Sequence, residues 1–275
     1  MVFKSTFFIL AVVLFLGCDS TKSQNKTPTQ ITSPHTELKK SLQTYYKAAL
    51  NKKGTDLKDA LHTIIRKSTS FSYSQAYNLL DIIDQDPNNS NNVILFYTQT
   101  SRAANEKCHS SSQDCWNREH MWPKSLGVGY DDSVAAYTDL QHLRPTDAVV
   151  NSDRGNKIYG VTSVPYPKIA HFYWDTSASI WEVSDNLKGD VARVILYMTV
   201  RYEGDDNEPD LEIYAGDESI SRPAELCLML EWNELDKVSE NERKRNDLIY
   251  SYQKNRNPFI DNQQWVEDIW ETMCK

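Results

Sequence analysis

The sequence predicts an α+β fold, a mostly helical single domain around a small irregular β core. Three observations lead to it. Apolar residues recur every three or four positions toward both ends of the chain, the middle breaks into short apolar runs separated by turn residues, and no segment repeats. The 275 residues suffice for one large domain or two small ones, and 40% hydrophobic with 25% charged residues excludes a disordered chain, a collagen-like fibre and a polytopic membrane protein.

The chain opens with a basic residue, Lys4, followed by an apolar run of ten, Phe7 to Leu16. Such a run is too short to span a bilayer and reads as the apolar region of a signal peptide. It ends in Phe15-Leu16-Gly17-Cys18, which resembles the bacterial lipobox, whose Cys is lipidated and becomes the new N-terminus. Residues 1–18 are therefore read as a lipoprotein-type signal peptide, with Cys18 as the lipidation site and the membrane as a partner. The alternative is an ordinary cleaved signal peptide and secretion. Residues 19–36 are almost free of apolar side chains and form a tether, so the folded domain is expected over 37–275.

Helical spacing appears over Leu38–Leu50, Leu57–Ile65 and Tyr73–Ile83. The cluster Asn88-Asn89-Ser90-Asn91-Asn92 predicts a turn, and Val93 to Tyr97 a short buried strand. Residues 108–185 are loop-rich with short strands. Helical spacing returns over Val191–Tyr202, Ala224–Val238, Ser239–Tyr252 and Gln263–Cys274. Of the five cysteines, assigning lipid to Cys18 leaves four, an even set suited to two disulfides in an oxidising compartment. Four cysteines allow three pairings; the expected one is local and terminal, Cys108 with Cys115 and Cys227 with Cys274.

Polar chemistry crowds the stretch from Cys115 to Asn156. A neutral His can take a proton from water near neutral pH, and a neighbouring carboxylate can hold a hard cation such as Mg²⁺. Glu119-His120 offers that pair, although neighbours in a regular strand face opposite sides. Serving one site requires a strand end, with which Pro123 is consistent. Asn151 offers an amide oxygen. It follows Pro145-Thr146-Asp147, where Pro and an Asp or Thr cap predict a helix start. Taken singly, each of these residues is more often an ordinary polar side chain of the surface.

Together they are more specific. Arg118-Glu119-His120 with Trp122-Pro123, then Asp139-Leu140-Gln141-His142-Leu143 with Pro145, then Val150-Asn151-Ser152-Asp153-Arg154-Gly155-Asn156, resemble the bacterial endonuclease I family. These are periplasmic or secreted nucleases of the ββα-metal (His-Me finger) class. The resemblance implies that His120 is the general base and that Glu119 and Asn151 are the protein ligands of one Mg²⁺, with Mn²⁺ or Ca²⁺ as alternatives. It implies sequence-nonspecific hydrolysis of DNA, and often RNA, to 5′-phosphate and 3′-hydroxyl ends, and a monomer is expected. Some members carry a phosphate-binding Arg in a long insertion after the His-containing strand. Here eighteen residues separate His120 from Asp139, none of them Arg. Candidates for phosphate contact are Arg118, Lys124 and Arg144, with Arg154 either catalytic or a buried structural ion pair. His142 is either an orienter of metal-bound waters or a packed strand residue.

The net charge of −8, from 30 basic and 38 acidic residues, is unlike that of typical basic nucleic-acid binders. A local basic run could compensate. Arg243, Lys244, Arg245, Lys254 and Arg256, interleaved with Tyr250 and Tyr252, are read either as a nucleic-acid-contacting helix or as a solvated face. The competing functional class is a non-catalytic lipoprotein that keeps the fold and binds nucleic acid or a protein partner. A zinc hydrolase using His109, His120 and His142 is a weaker alternative, because no His-Glu-x-x-His spacing is present.

Overall fold

Helix α1 (Pro34–Tyr45), α2 (Gly54–Ile65) and α3 (Tyr73–Ile83) lead the chain in a computed structural model that describes residues 34–109, 114–217, 219 and 221–275. The expected signal peptide, Cys18 as its expected lipidation site, and the expected tether up to residue 33 lie outside the described residues. Helix α1 starts inside the expected tether, four residues before Leu38. Helix α3 is fixed at its start by a capping box, Ser72 Oγ accepting from the Gln75 N–H while Gln75 Oε1 accepts from the Ser72 N–H at 2.8 Å. It buries Ala76, Tyr77, Leu80 and Ile83, the face its spacing defines.

A three-stranded antiparallel sheet follows, ordered β1 (Gln85–Asp86), β2 (Asn89–Ile94), β3 (Ser101–Ala103). Here the expected turn is shorter: it lies at Pro87-Asn88, where Asp86 Oδ1 accepts from the Asn88 N–H at 2.8 Å, and Asn89, Asn91 and Asn92 lie in β2. β2 is the central strand, so ladder bonds on both edges outweigh the turn preference of Asn. Leu95, Phe96 and Tyr97 leave the strand and bury individually.

Next come β4 (Trp116–His120), a 3₁₀ turn (Lys124–Leu126), α4 (Ala135–Thr138), β5 (Leu143–Asp147) and α5 (Ala148–Arg154). β4 and β5 are antiparallel, with His120 opposite Leu143 and Trp116 opposite Asp147. Asp147 caps α5, its Oδ1 accepting from the N–H groups of Val149 and Val150 at 2.9 and 3.1 Å. Pro145 is not in the first turn of that helix; it pairs with Arg118 inside β5. A second small sheet is ordered β6 (Ile158–Tyr159), β8 (Ile180–Glu182), β7 (Tyr173–Asp175).

The C-terminal third is α6 (Asp185–Arg201), α7 (Leu226–Leu235), α8 (Glu240–Gln253), α9 (Pro258–Asp261), α10 (Trp265–Trp270) and a closing 3₁₀ turn (Glu271–Met273). Helix α6 begins six residues before Val191, the expected start, and fourteen of its 17 residues are buried. A helix enclosed on every side lacks the one-sided stripe from which its length could be read. At Gly189 a Cβ would sit 2.1 Å from the Asp236 carbonyl oxygen, so only glycine lets α6 approach the end of α7 this closely.

Buried ions join these layers. Arg193 of α6 meets Glu242 of α8 through two bonds of 2.6 and 2.9 Å, and Arg245 meets Asp84, after α3, at 2.8 and 3.1 Å. Arg144 lies 3.7 Å from Asp84 and 3.9 Å from Asp190. Asp139 accepts from Tyr197, Tyr202, Gln253 and the Gln141 N–H, all within 2.8 Å, which secures the approach to β5. Both expected disulfides are present, Cys108–Cys115 and Cys227–Cys274.

The two bridges close loops of very different length, 7 and 47 residues apart in sequence. The chain-entropy model then expects about 2.4 kcal/mol from the first and about 4 kcal/mol from the second. Serine replacement of Cys227 and Cys274 should lower the denaturation midpoint more than replacement of Cys108 and Cys115. The latter pair should cost more activity, because it precedes β4 directly.

Asp190 supplies a pH dependence. Burial, and then the charge of Glu242, push its carboxyl up to about 7 against the pull of Arg144 and Arg193. A folded-state pKa raised above the unfolded one gives stability that is full below the ordinary carboxylate range and lost as pH rises through about 7. Asp190→Asn, which mimics the neutral acid, should flatten the fall in stability between about pH 4 and 7, as read from denaturant midpoints.

Candidate active site

Strand β4 ends at His120, and this ending lets consecutive side chains share one site. Arg118, Glu119 and His120 line an open cleft of about 410 Å³ together with Lys124 from the following 3₁₀ turn and Asn151 from α5. The helix is tied to the strand twice. Asn151 Nδ2 donates to Asn117 Oδ1 at 2.7 Å and to the Arg118 carbonyl at 3.0 Å. A carbonyl can only accept, so the amide nitrogen faces the strand and Oδ1 is turned toward the cleft.

The second tie is Arg154, 1% exposed, which donates to the carbonyls of His120 and Met121 at 3.1 and 2.8 Å. The same guanidinium stands 3.1 Å from Glu119 Oε1, which also accepts from the Tyr97 hydroxyl at 2.7 Å. Arg154 therefore does not face the cleft; it is a buried ion pair that fixes the strand end. Burial raises the Glu119 pKa, opposed by the charge of Arg154 and the Tyr97 hydrogen bond. With Oε1 occupied, Oε2 is the oxygen left for the cleft.

His120 Nε2 lies 3.0 Å from the Tyr137 carbonyl. That partner requires a proton on Nε2, so Nδ1 carries the lone pair when the ring is neutral. Burial first, then His142 and the cation of Lys124, hold the His120 pKa well below the ordinary histidine range. The ring stacks on Tyr137 at 5.1 Å and meets the His142 ring edge-on at 5.2 Å. His142 is fully buried, and burial takes its pKa down to about 4. It packs against the base and does not line the cleft.

Of the candidate phosphate contacts, two reach the cleft. Arg118 lies flat on Tyr73, 3.3 Å from the ring centre, and 3.9 Å from that of Tyr77, with Nη1 donating to the Tyr73 carbonyl at 2.6 Å. Lys124 stands at the cleft between the rings of Tyr130 and Tyr137, at 4.9 and 5.7 Å. Arg144 is not available to substrate: it is buried between Asp84 and Asp190. Nor is α8 a free basic surface. Arg245 is buried on Asp84, Arg256 is held by Asp247 and Asp261, Lys244 faces Glu240, and Arg243 donates to the Ile260 carbonyl at 3.1 Å. Lys244, Arg245 and Arg256 meet acidic residues one turn away or on a packed neighbour, while Arg243 and Lys254 donate to backbone carbonyls.

Sequence reasoning missed Tyr97 and Tyr137, which hold the Glu119 carboxylate and the His120 ring. Tyr137 acts through its carbonyl, a group every residue carries, so no side-chain pattern marks it. The oxygens that reach the cleft, Glu119 Oε2 and Asn151 Oδ1, are a hard donor pair and suit Mg²⁺, Mn²⁺ or Ca²⁺.

A model of the endonuclease I family matches residues 53–264. The extracellular ribonuclease of Bacillus amyloliquefaciens is 48% identical over 231 residues, which cover 83% of this chain and 78% of that protein. The extracellular ribonuclease of Bacillus subtilis (strain 168) is 47% identical over 230 residues, covering 82% and 78%. The matched span contains β4, β5, α5 and the whole cleft, and on this evidence the chain belongs to the endonuclease I family and is an endonuclease, a phosphodiester hydrolase.

Proposed function

We propose that this protein is a Mg²⁺-dependent, sequence-nonspecific endonuclease in which His120 activates the attacking water and β4, β5 and α5 form the ββα-metal unit. One observation carries the reading: the Tyr137 carbonyl fixes the His120 tautomer so that Nδ1 is a free base beside the oxygens of Glu119 and Asn151. Mg²⁺ held by those two oxygens would neutralise charge on the scissile phosphate and the leaving 3′ oxygen. His120 Nδ1 takes the proton of the water as it attacks phosphorus in line. The bond from phosphorus to the 3′ oxygen breaks and that oxygen takes a proton from solvent, leaving a 5′-phosphate and a 3′-hydroxyl. Arg118 and Lys124 draw phosphates into the cleft, and Arg154 holds Glu119 in place.

RNA belongs among the substrates, beside DNA, because both relatives are named extracellular ribonucleases. Their names and two disulfides support export. The lipobox-like Cys18 supports a membrane anchor over free secretion, and the chain acts as a monomer.

His120→Ala should lower cleavage of plasmid DNA and single-stranded RNA by about 10²- to 10⁴-fold with the fold intact. Near-normal cleavage in Mg²⁺ would overturn the assignment of the base. Glu119→Ala and Asn151→Ala should weaken Mg²⁺ binding, and added Mg²⁺ should partly restore Asn151→Ala, since a neutral ligand contributes less than a carboxylate. Chelation should abolish wild-type cleavage.

The pH profile gives an independent check. A base must be neutral to act, and the His120 pKa is depressed by burial. At saturating Mg²⁺, kcat/KM should stay flat as pH falls through the ordinary histidine value of about 6.5 and decline only below it. A decline centred on the ordinary value would place a different group in the role.

A further inference from the structure

Tyr130 is 68% exposed, the most exposed large apolar side chain among the described residues, and it stands at the edge of the cleft. Its backbone is well anchored. Val128, two residues earlier, is buried in the main core, and the Gly129 N–H donates to the Lys124 carbonyl at 2.9 Å. Gly127 and Gly129 have φ of +109° and +85°, conformations that turn the chain outward on both sides of Val128. At Gly127 a Cβ would sit 2.9 Å from Leu211, so this turn is also packed from below. The loop thus holds an aromatic ring in water at a fixed place. Nothing in the domain core covers it.

Lys124 Nζ is 4.9 Å from the centre of that ring. A cation that can meet a phosphate and a ring that can meet a base are therefore neighbours, as phosphate and base are within one nucleotide. Aromatic rings bind bases by stacking with little sequence preference, and only unpaired bases present a free face.

We propose that Tyr130 is a base-stacking platform that seats an unpaired nucleotide beside the scissile phosphate and so makes the cleft favour single strands over duplex. The proposal rests on the nuclease reading above. Tyr130 binds and positions substrate and takes no part in proton transfer.

The test compares Tyr130→Ala and Tyr130→Phe with wild type on a single-stranded oligonucleotide, the same sequence as duplex, and a strand of equal length made of abasic residues, all in Mg²⁺. Tyr130→Ala should raise KM on the single strand by about 5- to 150-fold, with kcat little changed. Tyr130→Phe, which keeps the ring, should behave as wild type. On the abasic strand wild type and Tyr130→Ala should be equal, and the preference for single strand over duplex should shrink in Tyr130→Ala. Unchanged KM on the single strand, or an equal loss on the abasic strand, would overturn the proposal. Fluorescence anisotropy of the same strands in a His120→Ala background reads the stacking without cleavage. A wild type that cuts none of the strands, yet shows Tyr130-dependent binding, would overturn the nuclease reading and leave the platform standing.

Discussion

Arg154 donates to the carbonyls of His120 and Met121 and faces Glu119, all from the last turn of α5, while Asn151 one turn earlier donates to the Arg118 carbonyl. The helix therefore cannot slide along β4 without breaking charged hydrogen bonds out of contact with water, where each lost partner is most costly. That constraint sets the separation of the two cleft oxygens and the base. The strand contributes the His120 ring and one oxygen, the helix contributes the other, and a single guanidinium keeps them in register. Tyr97 and Tyr137 extend the same logic from further away, each fixing one atom of the set and leaving its opposite number free.

The acidic net charge finds its explanation in the same economy of cations. Arg144, Arg154, Arg193, Arg245 and Arg256 are all buried against carboxylates, where they join one element to another. They contribute to architecture and very little to the field outside. Among the described residues, Arg118 and Lys124 are the basic side chains that line the cleft, and both are braced by aromatic faces. The positive side chains that face the cleft are thus few, and the net charge of −8 says little about the charge met there.

Much of this was legible before the fold was known. Glu119, His120 and Asn151 fall at the strand end and helix that their spacing required, and the cysteines pair as local and terminal counting suggested. What was hidden shares one cause: it depends on partners distant in sequence. Arg245 reads as part of a basic run because Asp84 is 161 residues away. Arg144 looks like a phosphate contact because nothing nearby announces Asp190. The asparagines of β2 read as a turn because their ladder partners lie on two other strands. Helix α6 was read six residues short because burial on all sides erases the stripe by which a helix is recognised.

The bridge between Cys108 and Cys115 fixes where the strand of this site begins. Tyr77 holds the bridge's neighbourhood, its hydroxyl reaching the Cys108 and Trp116 carbonyls at 3.0 and 2.7 Å, and β4 starts at Trp116. A sulfur–sulfur bond is made and broken by redox chemistry alone. The strand that carries Glu119 and His120 is therefore tethered at its start by a bond that thiol reagents can open, while the hydrogen bonds of Tyr77 stay in place.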